Sequence, residues 1–177
     1  MKPRWSLPLA ALFLVLGLLP VSAQPVRELQ TPTPTTRQAL QEALSSLAGE
    51  YASAGFHAAV VTQYGRVEPY RQIREASRRG SRTLERLCRK YRVPIPKNSY
   101  TKVKAPGSLK AAAVAGIELA EQSLAMYDRF LPLVTDAPEL VQTFGRLQFQ
   151  KREQLSWLQE AAENGGLLPD RRPPRGR

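Results

Sequence analysis

Residues 69–91 read PYRQIREASRRGSRTLERLCRKY. Tyr70, Ile73, Ser77, Gly80, Leu84, Leu87 and Tyr91 recur at steps of three and four, the spacing of one face of an α-helix. Arg71, Arg74, Arg78, Arg82, Arg86 and Arg89 follow the same steps and predict a basic ridge along the outer face. Pro69 suits the first turn, and Pro94 and Pro96 stop the helix. Halfway along, at Ser77 and Gly80, the inward stripe loses its bulk.

Three further stripes flank this one. Before it, Leu40, Leu44, Leu47, Tyr51, Ala54, Ala58 and Val61 predict one helix, capped by Thr35 or Thr36 and ended by Gly65. After it, Ser108 caps a helix with the stripe Val114, Ile117, Glu121, Leu124, Asp128 and Leu131, beside which lie Ala113, Ala120 and Tyr127. Pro132 ends or bends that helix. Asp136, with Pro138 and Glu139 behind it, caps the last. Its stripe is Leu140, Phe144, Leu147, Lys151, Gln154 with Leu155, and Leu158, and Asn164-Gly165 ends it. No β-type alternation of useful length occurs. The fold class is therefore all-α, a four-helix bundle over residues 37–164. The link from Val93 to Gly107, between helices two and three, is long enough to act as a crossover.

The ends of the chain bound its compartment. Lys2 and Arg4 precede an uncharged apolar run from Leu7 to Leu19, then Pro20 and the small residues of Val21-Ser22-Ala23. This is the pattern of a secretory signal peptide, residues 1–23, with cleavage before Gln24. The apolar run is too short to span a bilayer, which needs about 20 residues. No later segment is apolar enough to cross a membrane. The expected location is the periplasm or another extracytoplasmic compartment. Residues 24–36, rich in Pro and Thr, read as an extended leader, and residues 165–177 as a basic disordered tail.

The whole chain carries 26 Lys and Arg against 15 Asp and Glu, a net charge of +11. Loss of Lys2 and Arg4 with the signal peptide leaves +9. Such an excess favours anionic partners. Cys88 is the only cysteine, so no internal disulfide can form. It reads as a small hydrophobe on a buried helix face.

Each stripe turns polar, or loses bulk, near its middle: Glu50 and His57 on the first helix, Ser77 and Gly80 on the second, Glu118 and Glu121 on the third, Lys151 and Gln154 on the fourth. Polar groups at matched heights are where bundles place cofactors. Several stretches carry a family resemblance: Gly49-Glu50-Tyr51, Gln63 to Tyr70, Lys90 to Pro96, Ala115 to Glu118, Ala125 to Asp128 and Arg146 to Gln148. Together, from about Leu40 to Leu158, they resemble a ferritin-like family of bacterial proteins of unknown function, many of them exported.

That resemblance implies a carboxylate on the first helix, matched by Glu50, and one on the third, matched by Glu118. It also implies Glu-x-x-His on the second helix, where this chain has Ser77-Arg78-Arg79-Gly80. On the fourth it implies a histidine, where Gln154 stands. The only histidine of the chain is His57. A two-iron site needs several carboxylates and imidazoles on facing helices, and Ser and Gly supply neither.

The resulting expectation is an exported, non-enzymatic ferritin-like bundle without a cofactor, acting as an interaction or scaffold protein. Its basic face would meet an anionic partner such as a lipid headgroup, an envelope polymer or an acidic protein. The alternative is a metal-binding protein or oxidoreductase keeping a reduced site at Glu50, Glu118 and His57. If these residues bind no metal, they are expected to form a hydrogen-bonded polar layer paired with Lys151. A third reading, a nucleic-acid or polyanion binder, is opposed by export and by the lack of any nucleic-acid motif. A Ser-His-Asp site through His57 has no nucleophile motif to support it.

Overall fold

The computed structural model describes residues 31–169. The expected signal peptide, most of the leader and the arginine-rich end of the tail lie outside the described residues. Among the described residues there is no strand. Five α-helices follow one another: α1 Pro34–Ser45, α2 Glu50–Tyr64, α3 Tyr70–Lys90, α4 Leu109–Phe130 and α5 Pro138–Glu163, with a 3-10 turn at Leu131–Leu133 between the last two.

The first expected helix is thus two. The chain breaks after Ser45, and Gly49 starts α2. A Cβ on Gly49 would lie 2.8 Å from the Leu44 carbonyl oxygen, so only glycine lets the corner fold this tightly. The cap of α1 is Thr33, whose hydroxyl accepts the Thr36 N–H, and not Thr35 or Thr36. Asp136 does not cap α5 either; Ala137 holds that position. Its carboxylate accepts the Thr33 N–H at 2.8 Å and the Thr36 hydroxyl at 2.5 Å. These bonds hold its carboxyl below the usual range against the opposing effect of partial burial. Asp136 therefore fastens the start of α1 to the turn between α4 and α5.

Helix α2 packs chiefly on α3, and α4 chiefly on α5, with weaker contacts across the two pairs. The Tyr70 hydroxyl, at the start of α3, lies 2.9 Å from the Leu109 carbonyl oxygen at the start of α4. At the other ends, Leu84 and Leu87 share an apolar cluster with Met126, Tyr127 and Phe130. Helices α3 and α4 hence run parallel, and residues 91–108 must cross the length of the bundle, as the crossover expectation requires. The strap begins where Arg92 adopts a left-handed φ of 55° and the Val93 N–H reaches back to Cys88 O, a common helix stop. Tyr100 then presses on α2 at Gly55 and donates to Ser45 O, and Tyr64 donates to Pro106 O.

Helix α4 turns a different face inward from the one its large apolar residues suggest. Ala113, Gly116, Ala120, Ser123, Tyr127 and Phe130 are buried, whereas Val114, Glu118, Glu121 and Asp128 are exposed. Small residues let α5 come close: a Cβ on Gly116 would sit 3.0 Å from a Leu158 methyl. The expected tail also begins too early at residue 165. Gly166, at a φ of 102°, packs against the Leu109 backbone, where a Cβ would lie 2.2 Å away, and Leu168 donates to Glu68 O.

Two apolar cores result. One gathers Leu40, Leu44, Leu84, Leu87, Phe130, Leu140, Phe144 and their neighbours. The other holds Val60, Val61, Tyr70, Ile73, Ala112, Ala120 and Leu158. Each buried leucine contributes about 1.5–3 kcal/mol relative to exposure. Cys88 lies in the first core, as expected, with burial pushing its thiol up to about 11.

Candidate functional site

Between the two cores lies a layer of polar side chains. Glu50 opens α2, where a carboxylate suits the positive end of the helix dipole. Ser53 and His57 follow at steps of three and four and therefore share its inward face. Ser77 and Gly80 come from α3, Tyr127 from α4, Lys151 and Gln154 from α5. All are buried, Glu50 and Lys151 to 1% exposure each.

The Lys151 ammonium organises the layer. Its Nζ lies 3.2 Å from each Glu50 carboxylate oxygen, 3.2 Å from Ser53 Oγ and 3.3 Å from Ser77 Oγ. Three N–H donors thus meet one carboxylate and two hydroxyls. Ser53 Oγ and Ser77 Oγ are 2.8 Å apart, and Tyr127 donates to Glu50 Oε1 at 2.9 Å. Burial, then the neighbouring Glu50 charge, holds the Tyr127 hydroxyl well above its usual range. Gly80 makes room for the carboxylate: a Cβ there would lie 3.0 Å from Glu50 Oε2 and from a Leu147 methyl.

His57 adjoins the layer. Its Nδ1 is 2.7 Å from the Ser53 carbonyl oxygen, which can only accept, so Nδ1 carries the proton. Nε2 then presents a lone pair, buried and without a hydrogen-bond partner among the described residues. The ring sits against Phe56 and Tyr70. Burial, aided by the Lys151 charge and opposed by the Ser53 bond, drives its pKa down to about 3. The imidazole is neutral at any ordinary pH.

The expected polar layer is therefore present, with Lys151 at its centre, but one expected member is elsewhere. Glu118 points to solvent, so the three-residue set Glu50, Glu118 and His57 does not come together. Among the described residues no group of three or more His, Cys, Asp or Glu side chains is placed to hold a metal ion. The position beside Glu50 on α4 belongs instead to Tyr127, which sequence reasoning set at the margin of its stripe. Ser53 escaped notice too, although its spacing from Glu50 and His57 was a signal. Glu50, His57 and Lys151 line none of three surface clefts, whereas Gln154 reaches the edge of the layer at a cleft between α3 and α5 lined also by Arg71, Arg79 and Trp157.

The basic face is the second candidate. Arg71 pairs with Glu68, Arg74 with Glu75 at 2.6 Å, and Arg89 more loosely with Glu85 at 3.8 Å. Arg78, Arg82 and Arg86 are exposed and make no ion pair among the described residues, nor does Arg79, which the ridge as read from spacing omitted. The ridge is therefore paired at its ends, while in the middle Arg78 and Arg79 feel Glu75 without a close ion pair, and Arg82 and Arg86 have no close ion pair among the described residues. No described helix is long and apolar enough to cross a membrane. Comparison of the chain with protein-family models, with curated proteins and with solved structures gave no match.

Proposed function

We propose that this protein is an exported, non-enzymatic, ferritin-like bundle that binds an anionic partner through the outer face of α3. The observation that carries the reading is the run of Arg78, Arg79, Arg82 and Arg86, four exposed guanidiniums without ion partners among the described residues. Four neighbouring like charges, of which Glu75 acts on only the first two, repel one another, and contact with an anion relieves that repulsion. The closed centre supports a non-enzymatic role, since an ammonium already satisfies the buried carboxylate. The ferritin-like kinship rests on the sequence resemblance, and the two packed helix pairs with a long crossover are compatible with it.

The test is the triple replacement of Arg79, Arg82 and Arg86 by Gln. Exposed changes of this kind shift stability by about 0.5 kcal/mol or less each. Co-sedimentation with anionic liposomes, and titration with a soluble acidic polymer, should show weaker binding and a shallower salt dependence. Equal binding by the triple variant and the wild type at low salt would show the ridge to be an ordinary solvated surface.

A further inference from the structure

The strap from residue 91 to 108 does not lie flush on α2. From Tyr100 onward it borders an open, solvent-facing cleft of about 700 Å³ between itself, α2 and the first half of α3. The floor is made of small α2 residues, among them Ala54 and Ala58. Arg74 and Arg78 come from the α3 side, and Lys104 and Asn98 from the strap. No carboxylate lines it. Arg74 spends its Nε and Nη2 on Glu75, which lies outside the cleft. Arg78 and Lys104 are exposed and make no close ion pair among the described residues; Glu75 acts on Arg78 from outside the cleft, and Lys104 is left as the less balanced of the two charges. Asn98 uses its side-chain oxygen to accept the Tyr100 N–H at 2.9 Å, which leaves its amide NH₂ as a donor.

We infer that this cleft is a binding site for a small organic phosphate. Two cations match the dianion of a phosphomonoester. A guanidinium fork suits its oxygens, and a lysine adds a mobile point charge. The space is in the range of sites for small ligands, roughly 300–1,000 Å³. The alanine floor accepts a short apolar or hydroxylated body, and with no carboxylate in the lining the one nearby acid, Glu75, is held by Arg74, which reduces its repulsion of an anion. The inference rests on the anionic-partner reading above and sharpens it. The ridge attracts anions over its whole length, and the cleft, which shares Arg74 and Arg78 with it, selects one chemistry on the side facing the strap.

The experiment uses the full mature chain and isothermal titration with three probes: glycerol 3-phosphate, inorganic phosphate and succinate, at moderate salt. The expected result is saturable one-to-one binding of glycerol 3-phosphate, weaker binding of inorganic phosphate and least of succinate. Arg78→Gln with Lys104→Gln should weaken glycerol 3-phosphate at least tenfold, while Arg82→Gln with Arg86→Gln, on the same helix but outside the cleft, should change it less than twofold. Ala58→Leu should lower affinity for glycerol 3-phosphate more than for inorganic phosphate, because it fills the floor and leaves the charges. Equal losses from the two double variants, or no saturable binding of any probe, would overturn the cleft site. Neither result would touch the reading of the ridge, which stands or falls on liposome and polymer binding by the Arg79, Arg82 and Arg86 triple variant.

Discussion

Lys151→Met should break the polar layer in a way that can be measured and apportioned. Met keeps most of the length and volume of Lys but removes the ammonium. Glu50, 1% exposed, would then keep only the Tyr127 hydroxyl as a donor. Removing one partner of a buried ion pair costs about 3–5 kcal/mol, because the other charge stays dehydrated and unmatched. The pair itself is worth far less than that figure. Its contacts of 3.2–3.3 Å are longer than the 2.7–2.9 Å of strong charge-assisted bonds. Dehydration of two ions costs several kcal/mol each, so the attraction does little more than offset it. Removing both charges, by Glu50→Gln with Lys151→Met, lets the new side-chain carbonyl still accept from Tyr127. The double variant should therefore fall within about 1–2 kcal/mol of the wild type, with a coupling energy of at least about 2 kcal/mol. Urea unfolding followed by helical circular dichroism at neutral pH gives all four corners of the cycle. If Lys151→Met loses under about 1 kcal/mol and the coupling is near zero, the two groups do not form a dry pair and the reasoning fails.

Two other outcomes follow from the same layer. His57 has a folded pKa near 3 against about 6.5 when unfolded, so the unfolded state binds the extra proton between those values. Stability from this group is complete above about pH 6.5 and falls by about 1.4 kcal/mol per unit below it, roughly 2 kcal/mol by pH 5. His57→Gln should flatten that slope, and identical slopes for variant and wild type between pH 6.5 and 5 would contradict it. Gly80→Ala gains about 1 kcal/mol of helix propensity but forces a methyl to 3.0 Å from a Glu50 oxygen that Lys151 holds in place. The net effect should be destabilising at neutral pH, and a raised melting temperature would show that the carboxylate has room to move.

Much of the core could be read from the chain alone. Ser77, Gly80, Lys151 and Gln154 fall where their stripes place them, because α3 and α5 carry large inward residues. On the first helix the stripe misplaced Leu47, which is 75% exposed, and Ala54 and Ala58, which are half-buried, while Glu50 and His57 beside it are buried. The failures share a physical origin. Up to Ser123 the inward face of α4 is built from Ala, Gly and Ser, so close helix approach, not bulk, marks it there; only Met126, Tyr127 and Phe130 near its end are large. Val114, Ile117 and Leu124 then drew the stripe round to the wrong side and carried Glu118 with it. The break between α1 and α2 turned on a glycine that a periodic pattern passes over. Asp136 has the residue type and spacing of a helix cap, yet stands one residue before the cap of α5 and bonds to a helix 100 residues earlier in the chain. Such a long-range bond leaves no local trace.

The small-residue face of α4 has a further consequence. Faces of Ala and Gly are smooth, and smooth helices can slide along one another with little change in contact. A slip of one turn, about 5.4 Å, would be resisted along Ala112 to Ala120 only by Leu158 at Gly116, and at the far end by Tyr127 and Phe130 against Phe144. It would also move the Lys151 ammonium away from its carboxylate and into one of the two apolar cores. The ion pair between α5 and α2 thus works as a detent: it adds little to how strongly the helices hold, and together with the aromatic contacts of Phe144 it sets the height at which they stop.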